Sequence, residues 1–325
     1  MTVVLSYHDV ERLLPMGDCV ELMAEVLADL ARGRLEQPLR TALVPKDAGG
    51  VLALMPAYRR EPEPAWALKA ICIMHGNPAR GLDAHQGAVL LFDGETGQVR
   101  LIANGSAITE IRTAAVSAVA TRLLAREDAA TLAVLGAGVQ ARSHLAAMTV
   151  ARPFERALLW SRTPGKAEEL ARSAGVPFPV EVAGSAEEAV RAADVVVTAT
   201  SSHEPVLRRE WLAPGAHVNA VGSSIRTTRE LDSQTMADCL LFVDRRESTL
   251  NEAGDYVIPA AEGLIGPGHI RAELGELLVG ALPGRTSPDE LTVFKSLGIA
   301  VEDLASAEFL LRRAEESGVG ARVEL

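Results

Sequence analysis

The stretch LAVLGAGVQARSHL, residues 132–145, decides how this chain is read. An apolar run meets Gly136-Ala137-Gly138-Val139-Gln140-Ala141 and then a helical segment, VQARSHLAAM. In this G-x-G-x-x-A order the first glycine permits a tight turn, and the second lets a pyrophosphate approach the backbone. The small Ala141 lets helix and strand pack closely. The helix N-terminus then turns its spare N–H groups toward the phosphates. Gly136, Gly138, Val139 and Gln140 are therefore expected to hold a dinucleotide; the competing reading is a tight turn in an α/β domain without ligand.

The next apolar segment, RALLW, ends in Ser161-Arg162-Thr163, with Lys166 shortly after. NAD sites usually place an acid here, where it binds the adenosine ribose hydroxyls and repels a 2′-phosphate. Two hydroxyls, a guanidinium and an ammonium suit a phosphate dianion instead, which favours NADPH over NADH. Arg162 and Lys166 as ordinary solvated charges at a helix start is the other reading.

Working outward, LAVLG, RALLWS, DVVVTAT, HVNAVG and CLLFVD are short apolar strands with helical segments between several of them, the signature of a doubly wound parallel sheet. This texture begins at Thr113, with the Ala-rich run AAVSAVATRLLA. Before it, LRTALVP, GVLALMPAY, WALKAICIM and GAVLLFD follow one another as strands, with a hairpin turn at Gly94 and Gly97, so an antiparallel or mixed sheet is expected. Ser6 and Asp18 are candidate N-caps for two opening helices, the second ending at Gly33. After them, SPDELTVFKSLGIAVEDLASAEFLLRRAEESG reads as one long helical pattern from Ser287/Pro288 to Gly318.

The 325 residues are 48% hydrophobic, enough for a substantial core in two domains. A formal net charge of −11 and the lack of a basic run argue against nucleic-acid binding. No apolar run approaches the roughly 20 residues of a membrane helix. Cys19, Cys72 and Cys239 form no metal or CxxC spacing, so reduced thiols, a cytoplasmic location and no metal site are expected.

In the first region, alternation puts Lys69 on the same face as Ala67 and Ile71 of WALKAICIM. Burial there lowers an ammonium pKa and makes Lys69 a usable proton donor or a carboxylate's partner; a snorkelling edge lysine is the plainer reading. Arg112, read as opening RTAAVSAVATRLLA, would combine an arginine fork with helix N–H groups to grip a carboxylate, or form an ordinary interdomain ion pair. Arg40 is a second candidate for that grip.

Taken together, LMPAY, ALKAICIMHGNPARGLDAHQGAVLLFD, ITEIRTAAVSAVATRLLA, LGAGVQARSHL, NAVGSS and FKSLGIAVEDLA resemble the ornithine cyclodeaminase and mu-crystallin family over nearly the whole chain. The resemblance implies a homodimer with a Rossmann-type domain (113–299) inserted in a smaller α+β substrate and dimerisation domain (1–112 plus 300–325). It also implies a substrate carboxylate in a cleft near the nicotinamide. It makes Arg112 and Lys69 the main carboxylate ligands, Arg40 a third and Lys69 the acid/base, with Ser223 near substrate; the apolar residues around Met55, Cys72 and Met74 suggest by themselves a pocket for a hydrophobic or ring substrate. Thr113, Thr200, Ser201, Val221, Lys295 and Gly298 become further cofactor contacts, while Asp303 either orients a water or stays on a solvated helix face.

Ornithine cyclodeaminases resemble one another in carrying an acid after the glycine of NAVG and another in the strand equivalent to LALMPAY. Here those places hold Gly222-Ser223-Ser224 and Met55-Pro56-Ala57, so cyclisation of ornithine lacks an evident base. VGSSIRTTRELD and WSRT look more like the ketimine reductase branch. The implied reaction is NADPH-dependent reduction of cyclic imino acids such as Δ1-pyrroline-2-carboxylate or Δ1-piperideine-2-carboxylate to cyclic L-amino acids. Reductive amination of 2-oxo acids, ornithine cyclodeamination and a non-catalytic ligand carrier are the alternatives.

Overall fold

The computed structural model describes residues 1–74 and 76–325, which form two compact units: 1–112 with 298–325, and 113–297. The chain enters the first unit through β1 (Thr2–Leu5), α1 (Tyr7–Leu13) and α2 (Met16–Ala31). Ser6 caps α1 in a reciprocal box with Asp9. Asp18 is not a cap: Pro15 precedes α2 and Asp18 lies in its first turn, where a carboxylate favours the helix dipole without closing it. One face of α2, with Cys19, Val20, Met23, Val26, Leu27 and Leu30, is buried, and the chain turns away at Gly33 with φ +75°.

Two short strands, β2 (Leu35–Glu36) and β3 (Thr41–Leu43), lead into the long antiparallel run β4 (Gly50–Arg59), β5 (Ala65–Met74), β6 (His85–Asp93) and β7 (Val99–Asn104). His85 and Gln86 thus open a strand. Alternation is strict in β5: Ala65, Ala67, Lys69 and Ile71 are buried, whereas Trp66, Leu68, Ala70 and Cys72 are half-buried or exposed. Tyr58, Leu90 and Phe92 from neighbouring strands share the second face, which is as apolar as the first. Cys72 therefore faces away from Met55, which is buried opposite Lys69 in register.

Next comes α3 (Gly105–Leu124). Arg112 does not open this helix but sits well inside it, because Asn104 Oδ1 accepts from the Ala107 N–H at 3.0 Å and caps it earlier. Arg112 has no free helix N–H groups beside it.

The second unit begins within α3 and continues through β8 (Thr131–Leu135), α4 (Val139–Ala151), β9 (Arg156–Trp160), α5 (Pro164–Ser173), β10 (Val180–Val182), α6 (Ala186–Arg191), β11 (Val195–Thr198) and β12 (His217–Ala220). After these come α7 (Ser233–Asp238), β13 (Leu240–Val243), α8 (Arg246–Glu252), α9 (Gly254–Ala261), β14 (Ile270–Glu273), α10 (Leu274–Leu278) and β15 (Thr292–Lys295). The eight strands are all parallel, in the order β10-β9-β8-β11-β12-β15-β13-β14. This is a doubly wound α/β sheet whose order reverses beside β8. Its central strands are buried along their whole length, VVVT in β11 and HVNA in β12, as a sheet covered on both faces requires.

The C-terminal helical expectation is corrected. Glu290 folds back onto the Thr286 and Ser287 N–H groups like a cap, but LTVFK then forms β15, where apolar and β-branched residues fill the centre of the sheet. The helix proper is α11 (Ala300–Ser317), closed by Gly318 at φ +68°. It returns the chain to the first unit, packs across β4, β5 and β6, and ends in β16 (Ala321–Val323) beside β1. The first unit's eight-stranded sheet is mixed, with β1 parallel to β7.

Candidate active site

The first unit gathers its charges on the buried face of β5. Lys69 is 2% exposed, flanked in register by Met55 and Val89, and its Nζ donates to Asp303 Oδ1 at 2.9 Å. Asp303 lies in the first turn of α11 and is 1% exposed, so helix-face solvation is excluded for it. Arg112 Nε donates to the same oxygen at 3.3 Å, and its Nη1 to Glu302 Oε2 at 3.0 Å. Both lysine and arginine are thus paired within one buried cluster, and the snorkelling reading of Lys69 fails on burial.

Arg40 joins from the loop before β3, donating to the Gly298 carbonyl at 3.2 Å. Gly298 has φ +72°, and a Cβ there would strike the Arg112 guanidinium, so this glycine is what lets the loop pass Arg112. Gly298 accordingly sits with the arginines of the first unit. Burial pulls the Lys69 pKa down to about 8; Asp303 opposes that fall and Arg112 adds to it. Lys69 and Arg112 face Asp303 and Glu302 in a dry setting, with the half-buried Arg40 bonded to the Gly298 loop, an arrangement that suits a substrate carboxylate and a group able to give a proton near neutral pH.

In the second unit the glycine loop has the geometry that a pyrophosphate needs. Gly136 adopts φ +131°, and a Cβ on it would strike the Ala199 carbonyl. Gly138 caps α4 with open space where its Cβ would point, and Ala141 is fully buried against the sheet. Val139 and Gln140 form the first turn of α4 beside it. Ser161 Oγ accepts from the Thr163 N–H at 3.3 Å, while the Arg162 and Lys166 side chains stand exposed with no ion pair among the described residues. Residues and backbone fit a dinucleotide: a cradle without side chains, and loose cations where the adenosine ribose would lie.

The other expected contacts fall into place unevenly. Thr113 is nearly buried inside α3; Thr200, Ser201 and Val221 lie in the turns after β11 and β12. Ser223 is 1% exposed, with its hydroxyl bound to the carbonyl and hydroxyl of Thr228. Lys295 is fully buried at the end of β15, where its ammonium meets Asp255 Oδ2 at 3.0 Å and the Ala220 carbonyl at 3.2 Å. Sequence reading missed Glu302, Asp255 and Glu230; Asp255 is a lone acid beside the apolar run YVI, a mismatch that is an available signal, whereas Glu302 and Glu230 each stand near another acid in VEDLA and RELD and read as ordinary surface charges.

A doubly wound unit with a glycine cradle, joined in one chain to a buried lysine-arginine-carboxylate cluster, defines a nicotinamide-dependent oxidoreductase. Residues 1–318 match the ornithine cyclodeaminase/mu-crystallin family, and the chain belongs to it. It is 42% identical over 278 residues to the ketimine reductase mu-crystallin of Mus musculus, covering 86% of this chain and 85% of that protein. The structure of Thermococcus litoralis Δ1-pyrroline-2-carboxylate reductase in complex with NADH and L-proline matches with a TM-score of 0.95 and 38% identity over 99% of this chain and 100% of that one. An archaeal alanine dehydrogenase dimer with bound NAD matches with a TM-score of 0.93 and 28% identity over 99% of each chain. No helix among the described residues is long and apolar enough to cross a membrane.

Proposed function

We propose that this chain is an NADPH-dependent reductase of cyclic imino acids of the Δ1-pyrroline-2-carboxylate and Δ1-piperideine-2-carboxylate type, giving cyclic L-amino acids. The observation that carries this reading is the buried cluster in which Lys69 and Arg112 share Asp303. When bound, the nicotinamide would supply the hydride for the imine carbon. Gly136, Gly138, Val139, Gln140 and Thr113 would hold the phosphates, and Ser161, Arg162, Thr163 and Lys166 would hold the 2′-phosphate. Thr200, Ser201 and Val221 would serve the nicotinamide half.

Arg112 and Arg40, whose guanidinium forks match the geometry of a carboxylate, take the substrate carboxylate. Lys69 holds a proton at Nζ and gives it to the ring nitrogen as that atom becomes an amine; a pKa of about 8 leaves it charged at neutral pH yet able to let go. Asp303 keeps that ammonium aimed and charged. Apolar neighbours such as Met55 exclude water around it.

The chain works as a homodimer in this reading. Support comes from the second face of the β4–β7 sheet, where Tyr58 and Trp66 stack with ring centres 4.2 Å apart and Trp66 is 49% exposed. An apolar sheet face of that kind marks an interaction surface.

The test is a screen of NADPH and NADH consumption over cyclic imino acids and over pyruvate-like acids with and without amines. Rapid oxidation of NADPH by a cyclic imino acid supports the reading. Turnover only with an oxo acid plus an amine replaces it with reductive amination. Ammonia release from ornithine with catalytic NAD restores cyclodeamination, and binding of NADPH without any turnover leaves a carrier.

A further inference from the structure

A second buried carboxylate belongs to none of these roles. Glu230, in the loop between β12 and α7, is fully buried, and its Oε2 accepts from Thr198 Oγ1 at 2.8 Å and from the Gly222 N–H at 2.6 Å. Its Oε1 accepts from the Thr200 N–H at 2.6 Å. One side chain therefore ties together the last residue of β11, the turn after it and the turn after β12. The two turns already touch: a Cβ on Gly222 would collide with the backbone of Thr200 and with Glu230 itself.

Glu230 is in turn braced. Its own N–H and that of Leu231 donate to Asp255 Oδ1 at 2.8 and 3.0 Å, and the other oxygen of Asp255 faces Lys295 Nζ at 3.0 Å. The ammonium also donates to Ala220, the last residue of β12, at 3.2 Å. Two carboxylates and one ammonium in a dry core cost more than an apolar filling of the same volume would. What they give in return is directional: the bonds of Glu230, and that of Lys295 to Ala220, end on backbone or hydroxyl at the C-terminal ends of β11 and β12, and Asp255 links the Glu230 backbone to Lys295. In a sheet of this order that edge is the second mononucleotide half, because the glycine loop after β8 and Ser161–Thr163 after β9 define the adenosine half.

We propose that Glu230, braced by Asp255 and Lys295, is a positioning residue that fixes the turns after β11 and β12 against the nicotinamide half of the bound dinucleotide. This rests on the reading of the second unit as a dinucleotide site. It acts through Thr200 and Gly222, touching neither substrate nor the reacting atoms.

The experiment compares Glu230→Gln and Glu230→Asp with the unaltered protein. Affinity is measured for NADPH and for 2′-phospho-ADP-ribose, which lacks the nicotinamide, alongside kcat and KM. Glu230→Gln turns an amide NH2 toward a backbone N–H, so NADPH affinity and kcat fall by about ten- to a hundredfold, the worth of one or two charge-assisted hydrogen bonds. Binding of the fragment stays within about threefold, since its contacts lie in the other half. Glu230→Asp, which keeps the charge, restores part of kcat. Gly222→Ala, whose methyl would press on the Thr200 backbone and on the Glu230 carboxylate while keeping every charged side chain, gives the same split and serves if Glu230→Gln does not fold. Equal loss of NADPH and fragment, or no loss of either, overturns the proposal. If the unaltered protein binds neither, the dinucleotide reading falls first.

Discussion

The two units each bury a lysine against an aspartate, at 2.9 Å for Lys69–Asp303 and 3.0 Å for Lys295–Asp255, and the resemblance ends there. Lys69 has a second cation, Arg112, on the same carboxylate oxygen, and burial plus that repulsion loosens its proton. Among the described residues Lys295 bonds only to acceptors, Asp255 and the Ala220 carbonyl, with the Glu230 carboxylate nearby. In the proposed function, the buried ammonium that shares its carboxylate with a second cation is the reagent, and the one that meets acceptors is a fastener. The surroundings of the pair, not the pair, separate chemistry from architecture.

The most direct way to break that contrast is to put methionine at both lysines. Lys69→Met is expected to lower turnover by about a thousandfold, the scale of a lost general acid, while Asp303 retains Arg112 and the fold persists. Lys295→Met strands Asp255 and is expected to cost about 3–5 kcal/mol in chemical denaturation. Equal effects of the two changes on turnover and stability would erase the distinction.

Asp303→Asn probes the reagent more finely. In the proposed mechanism Lys69 acts in its protonated form, so kcat/KM should decline as pH rises through about 8. Because the Asp303 carboxylate holds that pKa up, its loss should move the alkaline limb toward acid and reduce kcat/KM at pH 8 by about tenfold or more. A limb that stays in place assigns it to another group.

Trp66→Glu leaves the buried face of β5 alone and charges the other. If the proposed homodimer pairs through this face, sedimentation should show it weakened by about 2 kcal/mol or more, the scale of an aromatic anchor at an interface. Arg162→Ala is the mildest change: the KM for NADPH should rise about tenfold, one charge-assisted contact, with the KM for NADH nearly unchanged.

The doubly wound unit was legible because strands such as VVVT and a glycine turn before a helix are local patterns that the backbone obeys. The long hairpins of the first sheet were equally plain from alternation around Lys69. Boundaries set by a single hydrogen bond were not: Asn104 reads as the end of a strand until its side chain is seen capping α3. The same holds for β15, whose opening mimics a helix cap. Within the site, Lys69 and Arg112 stood out as charges at special places, but their partners Glu302 and Asp303 lie some 190 or more residues away in sequence. Periodicity carries no information at that range, so the neutralisation of the cluster, and the whole Glu230 arrangement, emerged only from the fold.

The alternation of β5 has an evolutionary consequence. Ala67, Lys69 and Ile71 turn inward while Trp66, Leu68 and Ala70 turn outward, so the two proposed functions, proton transfer and pairing of subunits, would be written in interleaved letters of one strand. Point substitutions could then retune either message without smudging the other. Insertion or deletion of a single residue would exchange them, pushing the lysine onto the outer surface and a leucine among the arginines. This stretch should bear changes of spelling better than changes of length.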